Sequence, residues 1–351
     1  MGNVLNLLRG FAQLMRHISY RAQWFRHVIA TSLIAMASLG ASAQVKLDIS
    51  VPERPNELHA LDAARFAERV ARETNGAVLM TTHPNGTLGV KQNESLVAIG
   101  EGVVPMGNFV LFLNASRSSV MAIESLPFLA GDEVQLKLLH KHFRPIWEAI
   151  LAKNNQKALY LVPWPNHFFF VKKPLTGMDD LKGLKMRAQN QLTTDWISRL
   201  GMTPVPMGSY RETLPALGSG MLDGVATSAV NAVALKYWDF MKYGYVTNHI
   251  WASNVMSINL DAWKKLTPAQ QATIERIGKE MEPQFWEASK QDNEKWVAQL
   301  RANGMTIAPA PKGMIDEMAK RTSPLWEIYA KPTGDEVSLA ALSAYRKEVG
   351  K

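Results

Sequence analysis

Apolar and polar residues alternate over 45–51 (VKLDISV), the period of a strand with one face buried. Apolar residues then recur at Leu58, Leu61, Ala64, Ala67, Val70 and Ala71, the spacing of one helical face, until Asn75-Gly76 stops the pattern. A strand over 77–82 follows, then a Pro84-Asn85-Gly86 turn, a short helix over 94–99 and a strand over 103–112. Beyond Pro163 the alternation resumes. Strands are predicted at 168–171, 184–188, 203–207, 224–228 and 254–260, with helices at 192–200 and 212–217. Strands interleaved with helices imply a mostly parallel sheet covered on both faces. The second such unit lies between extended segments near 164–172 and 249–260, the two chain crossings that a hinged, two-lobed α/β protein needs.

Thr267-Pro268-Ala269-Gln270 is the strongest helix start: a capping Thr, a Pro at the first helical position and a Gln three residues after the cap. Helical patterning runs from there to Ala302, with Pro283 expected to kink it. At 1.5 Å per residue such a helix is about 50 Å long, more than one lobe is wide, so it is expected to pack along both.

The N-terminal pattern is of another kind. Arg9, Arg16, Arg21 and Arg26 precede an apolar stretch over 28–39 that ends in Ala41-Ser42-Ala43, and the first 43 residues hold no acid. That order reads as a secretion signal cleaved after about Ala43, whether translation starts at Met1 or at Met15. The apolar run is shorter than the roughly 20 residues a membrane span requires. Export to the periplasm changes the charge reading, because four of the 39 Lys and Arg leave and the net charge falls from +8 to +4. It also removes nucleic acid as a natural partner. The chain has no cysteine, which excludes disulfides, thiolate catalysis, iron–sulfur clusters and thiolate zinc sites.

Enzyme signatures are missing: there is no phosphate-binding GxxxxGK[ST] loop, no HExxH and no GxSxG. Gly218-Ser219-Gly220 reads as a helix cap. His140 and His142 stand two apart on a helix, a spacing that does not share a face, so they read as a solvated surface and not as a metal pair.

One run carries more. Asp179-Asp180-Leu181-Lys182-Gly183 is a tight turn into a strand that holds Arg187. After it come Leu200-Gly201-Met202-Thr203-Pro204-Val205-Pro206-Met207, Glu212-Thr213-Leu214 and Asp223-Gly224. With Pro84-Asn85-Gly86-Thr87-Leu88-Gly89 and Thr247-Asn248-His249, these motifs resemble, in order and across 45–330, the DctP-type solute-binding subunits of tripartite ATP-independent periplasmic (TRAP) transporters. The resemblance implies a two-lobed periplasmic binding protein with two hinge strands and a long helix spanning both lobes. It divides the chain into a signal over 1–43, a first lobe of 44–165 with about 255–290, a second of 166–254 with about 291–330, and a tail over 331–351. It implies an organic-acid ligand handed to a small and a large membrane permease subunit, a monomeric receptor, and no cofactor or metal.

By the same resemblance Arg187 holds the ligand's carboxylate, and the physics agrees, since a buried guanidinium offers a rigid fork of donors. Three positions depart from the family's pattern. Thr227 and Ser228 stand where many members carry a ligand-touching Asn; His167 stands at a second arginine's place; Asn108 is the closest match to a polar group after the third strand. Fewer charges imply a less polar ligand than a sugar acid or dicarboxylate. Aromatic residues Trp164, Phe168, Phe170, Tyr210, Tyr237, Trp238 and Phe109 fall nearby, and of these Trp164, Tyr210 and Trp238 are expected to line the pocket. Phe168 and Phe170 alternate with Phe169, so at least one face of that strand must be core. The expected ligand is an aromatic or other hydrophobic monocarboxylate, such as a 2-oxo or 2-hydroxy acid. Two other functions stay open on sequence: a ligand-binding partner of a membrane sensor kinase, and an exported enzyme anchoring substrate at Arg187 with His167 or His249 as base.

Overall fold

The computed structural model describes residues 44–165, 167–207, 212–330 and 336–351. The signal read over 1–43 and the aromatic Tyr210 lie outside the described residues. The first half runs β1 (Val45–Ser50), α1 (Leu58–Glu73), β2 (Val78–His83), α2 (Ser95–Gly100), β3 (Met106–Val110), α3 (Glu133–Lys153) and β4 (Gln156–Pro163). Then come β5 (His167–Val171), β6 (Lys185–Ala188), α4 (Gln191–Arg199), β7 (Thr203–Pro206), α5 (Thr213–Gly218), β8 (Gly224–Ser228), α6 (Ala229–Ala234) and β9 (Tyr243–Val246). The last third holds β10 (Ser253–Asn259), α7 (Leu260–Trp263), α8 (Pro268–Ala302), β11 (Thr306–Pro309), α9 (Met314–Thr322), α10 (Pro324–Ala330) and α11 (Glu336–Val349).

Two sheets define two lobes. The first has five strands in the order β2-β1-β3-β10-β4, the second six in the order β11-β9-β5-β8-β6-β7. The strands β1, β2 and β3 run parallel, as do β6, β7 and β8, and β10 enters the first sheet antiparallel to β3 and β4. Antiparallel entry has a simple cause. The chain leaves the first lobe after β4, enters the second at β5, and returns between β9 and β10. The two crossings run side by side in opposite directions, because β4 pairs with β10 and β5 pairs with β9. Backbone bonds continue the ladder between the sheets: Trp164 N donates to Ala252 O (2.7 Å), and Thr247 N and Asn248 N donate to His167 O (3.3 and 3.1 Å).

The helix α8 starts as its sequence requires. Gln270 N donates to Thr267 Oγ1 (3.3 Å), Thr267 N donates to Gln270 Oε1 (2.9 Å), and Pro268 occupies the first turn. It runs 35 residues through Pro283 and packs on α1 and β4 in the first lobe and on α6 and β11 in the second. Of the segment read as a tail, the described residues 336–351 are built in: α11 packs on α3, and Tyr345 is buried with its hydroxyl donating to Leu129 O (2.8 Å). The strand read over 103–112 is shorter than expected. After Val110 the chain winds into a 3-10 helix (Leu111–Asn114), with Asn114 Nδ2 donating to Val110 O (3.1 Å).

All three phenylalanines of β5 are core. Phe168 and Phe170 pack on Tyr237 and Leu300 in the smaller apolar cluster, while Phe169 stacks on Trp196 from the opposite face with centroids 5.8 Å apart. A second correction concerns His140, read as solvated. It is buried, and its Nε2 lies 2.9 Å from Glu124 Oε2, an acid that also accepts from Ser253 Oγ (2.8 Å) and Ser253 N.

Candidate functional site

A cavity of about 430 Å³ opens between the two sheets, beside the crossings. Its walls come from the carboxyl ends of strands, where open α/β sheets bind ligands. The first lobe supplies Pro52, Glu53, Arg54 and Glu57 after β1, Val110 and Phe112 at the end of β3, and Gln92. Trp164 and Ala252 come from the crossings, and the second lobe supplies His167, Arg187, Gln189, Ser228, Asn231 and Leu235.

Arg187 is 3% exposed on β6, where its Nε donates to Met207 O at 3.1 Å. The turn that delivers it is locally determined. Asp180 Oδ2 accepts from Thr176 N (2.6 Å), Thr176 Oγ1 (2.7 Å) and Gly177 N (3.2 Å), bonds that hold its pKa below the usual range. Gly183 then turns with φ +76°, a conformation that suits glycine. His167 begins β5 and is buried beside His249, ring centroids 5.9 Å apart. Burial pushes its pKa down to about 4, so it is a neutral imidazole where the family's pattern has a second cation. Of the cavity's arginines, Arg54 is spent on Glu57, with Nε to Oε1 at 2.9 Å.

Trp164 forms one wall. Its indole N–H donates to Asn254 Oδ1 (2.7 Å), and its ring meets His59 edge-on at 4.5 Å. Asn254 continues a relay that sequence reading missed: its Nδ2 donates to Glu53 Oε1 (2.8 Å), which also accepts from Gln92 Nε2 (2.8 Å). Gln92 Oε1 in turn accepts from Val110 N (3.0 Å). Glu53 is 5% exposed, and burial pushes its pKa up to about 7 against the lowering effect of its two amide donors. The signal for it was available, since Glu53 lies three residues beyond the carboxyl end of a parallel strand.

The remaining expectations divide. Ser228 lines the cavity, whereas Thr227 is buried behind it. Asn231 Nδ2 lies 3.2 Å from Thr227 Oγ1 and 3.3 Å from Ser228 Oγ, so an asparagine amide reaches this wall from one turn further along the chain. Asn108 lies outside the lining. It is fully buried, and its Nδ2 donates to His59 O (2.9 Å), because β3 is the central strand of its sheet. Trp238 is also outside it, packed on the smaller core of the second lobe, where Tyr237 is buried. Phe109 is core.

Two lobes joined by paired crossings, with a ligand-sized cavity between them and a buried guanidinium in its wall, define a solute-binding protein. The chain matches the family model for bacterial extracellular solute-binding proteins, family 7 (DctP), over residues 50–332, and it belongs to that family. The C4-dicarboxylate-binding periplasmic protein DctP of Rhodobacter capsulatus is 27% identical over 320 residues, covering 88% of this chain and 91% of the relative. Among solved structures, the Bordetella pertussis receptor DctP6, which binds pyroglutamic acid, superposes with a TM-score of 0.80. It is 26% identical and is matched over 86% of this chain and 100% of its own. A marine metagenome TRAP solute-binding protein specific for pyroglutamate gives 0.79 at 26% identity, over 87% and 99% of the two chains.

Proposed function

We propose that the protein is exported, with its signal removed near Ala43, and captures a compact monocarboxylate with an apolar face for the small and large subunits of a TRAP permease. An aromatic or small cyclic acid is the class that fits. The observation that carries this reading is Arg187, a guanidinium 3% exposed in the wall of the cavity between the lobes. A carboxylate meeting it is held bidentately, and closing the lobes removes the water that would weaken the pair. The opposite wall argues against a second carboxylate, since it holds the buried acid Glu53 and an arginine already bound to Glu57. Trp164, Phe112 and Leu235 supply apolar surface for a ring or short chain. The two relatives that bind pyroglutamate, a small cyclic monocarboxylate, support the same class, and the dicarboxylate-binding relative makes succinate the discriminating competitor.

Calorimetric titration with pyroglutamate, phenylpyruvate, succinate and gulonate tests it. The monocarboxylates are expected to bind best, and tighter binding of succinate or gulonate refutes the reading. Arg187→Met leaves a buried carboxylate without its cation, a loss of about 3–5 kcal/mol, or at least about a hundredfold in affinity. Arg187→Lys, which keeps the charge and loses the fork, is expected to fall between. Retention of wild-type affinity by Arg187→Met would refute the assignment of that residue.

A further inference from the structure

A tryptophan lining a cavity is ordinarily free to turn about its two side-chain bonds. Trp164, half-buried in the cavity wall, is held instead. Its backbone N is fixed to Ala252 O on the return crossing (2.7 Å), and its indole N–H, which can only donate, ends on Asn254 Oδ1 at 2.7 Å. That polarity settles the orientation of the Asn254 amide: Oδ1 faces the indole, so Nδ2 faces Glu53 Oε1, 2.8 Å away. Asn254 cannot turn to follow a moving ring. It is fully buried on β10 and paired with Val110 of β3 and Val162 of β4. The carboxyl oxygen at its far end is also reached by Gln92 Nε2 (2.8 Å), and Gln92 Oε1 takes Val110 N (3.0 Å). The relay is thus anchored on backbone at both ends. His59 adds a lateral contact, its ring edge-on to the indole at 4.5 Å and its carbonyl held by Asn108 Nδ2 (2.9 Å). Burial pushes the His59 pKa down to about 3, so it packs there as a neutral ring.

We propose, resting on the monocarboxylate reading above, that Asn254 is a positioning residue: by holding Trp164 as a fixed flat wall it sets a preference for ring-bearing acids over open-chain acids of the same charge. A wall ordered before the ligand arrives costs the ligand nothing to order. Flat aromatic surface gives its full contact to a ring, whereas an open chain must freeze rotatable bonds to lie along it. Without the amide, the indole N–H is left unanswered at a buried edge and turns toward water in the cavity. The tilted ring then occupies space that a cyclic ligand needs, while a flexible chain bends past it. Asn254 belongs to the first sheet and Arg187 to the second, so the effect falls on the choice between acids and not on the carboxylate anchor.

The test titrates the full protein with matched acids. One pair is pyroglutamate and N-acetylalanine; the other is phenylpyruvate and 4-methyl-2-oxopentanoate. Wild type is expected to bind the ring member of each pair at least about tenfold more tightly. Asn254→Leu, and Asn254→Ser, which keeps a polar group but is too short to reach the indole, should cut that ratio to about threefold or less, with the open-chain acids within about threefold of their wild-type affinity. A merely structural loss would weaken all four acids alike. The bond itself is read by NMR from the Trp164 indole N–H, assigned by its loss in Trp164→Phe. In wild type it should exchange with solvent at least about a hundredfold more slowly than a free indole, a measurement that needs no change at position 254, and at least about tenfold faster in either Asn254 variant. In the Trp164→Phe background, which has no N–H to hold, adding Asn254→Ser should leave the ratio unchanged. Equal binding within both pairs by wild type, a ratio kept by Asn254→Ser, a parallel loss for all four acids, or indole exchange at the free rate in wild type overturns the proposal. If those arms fail while Arg187→Met still abolishes binding, the Asn254 assignment is wrong and the monocarboxylate reading stands. If none of the four acids binds, both fall.

Discussion

Gly278 lies in α8 where the helix crosses β4, and replacing it by alanine sets two effects of opposite sign against each other. On helix propensity alone alanine gains about 1 kcal/mol over glycine. A Cβ at this position, however, would stand 2.5 Å from Leu159 O and 3.3 Å from its carbonyl carbon. Both are backbone atoms of β4, the edge strand on which α8 packs, so no flexible side chain can give way. Ordinary contact requires α8 and β4 to part by about 1 Å, an overpacking cost of about 1–3 kcal/mol. Parting also strains three bonds that tie the helix to the strand: Trp286 Nε1 to Leu161 O (2.8 Å), Ser289 Oγ to Pro163 O (2.8 Å) and Leu161 N to Glu282 Oε2 (3.0 Å). Each such bond contributes about 1 kcal/mol. The clash therefore wins, with a net loss of about 2 kcal/mol after the propensity gain, or about 3 °C in melting temperature for a chain of this size. Thermal unfolding followed by circular dichroism checks it, with exposed Lys279→Ala one residue along as the control expected to move little. A melting temperature for Gly278→Ala equal to or above wild type would refute the argument. The same displacement would reach Trp164, since β4 runs straight into the first crossing.

Two further outcomes follow from buried ionisable groups. Glu124 accepts from Ser253 at the start of β10 and meets His140, so Glu124→Gln leaves at least one donor unanswered beside the return crossing; it should cost about 1–3 kcal/mol in urea unfolding, and an unchanged midpoint would sink this account. Stability should also peak near pH 6.5. Burial lowers the pKa of His59 to about 3 and of His167 to about 4, and pushes His249 down too, so the unfolded chain binds their protons first and stability falls as pH drops below the ordinary histidine value of 6.5. Glu53, raised to about 7, and Asp62, raised to about 8, have the opposite sign: the folded chain holds their protons, and stability falls as pH rises through 7 to 8. Urea midpoints at pH 5, 6.5 and 8 measure both limbs, and a midpoint that rises steadily across the three would contradict the assignment.

Much of this molecule is written in short-range pattern. Alternation and helical spacing, the Thr267–Gln270 cap, and the Asp-Asp-Leu-Lys-Gly turn with its Gly183 at φ +76° depend on residues within a few positions of one another, so sequence alone determined most elements, the two crossings, the family and the position of Arg187. The rest of the cavity was decided only by tertiary structure. Glu53, Gln92 and Asn254 meet across separations of up to 201 residues, and no periodicity announces that two loops and the start of β10 will converge. Asn108, Thr227 and Trp238 carry suitable chemistry, but their sheet and core neighbours turn them away from the cavity. His140 looked solvated by its spacing until Glu124 and Ser253 closed over it, and α11 looked like a tail until α3 offered it a face. Local pattern reports which face of an element is apolar. Which polar groups are then enclosed together, with what charge, depends on how the faces meet in space.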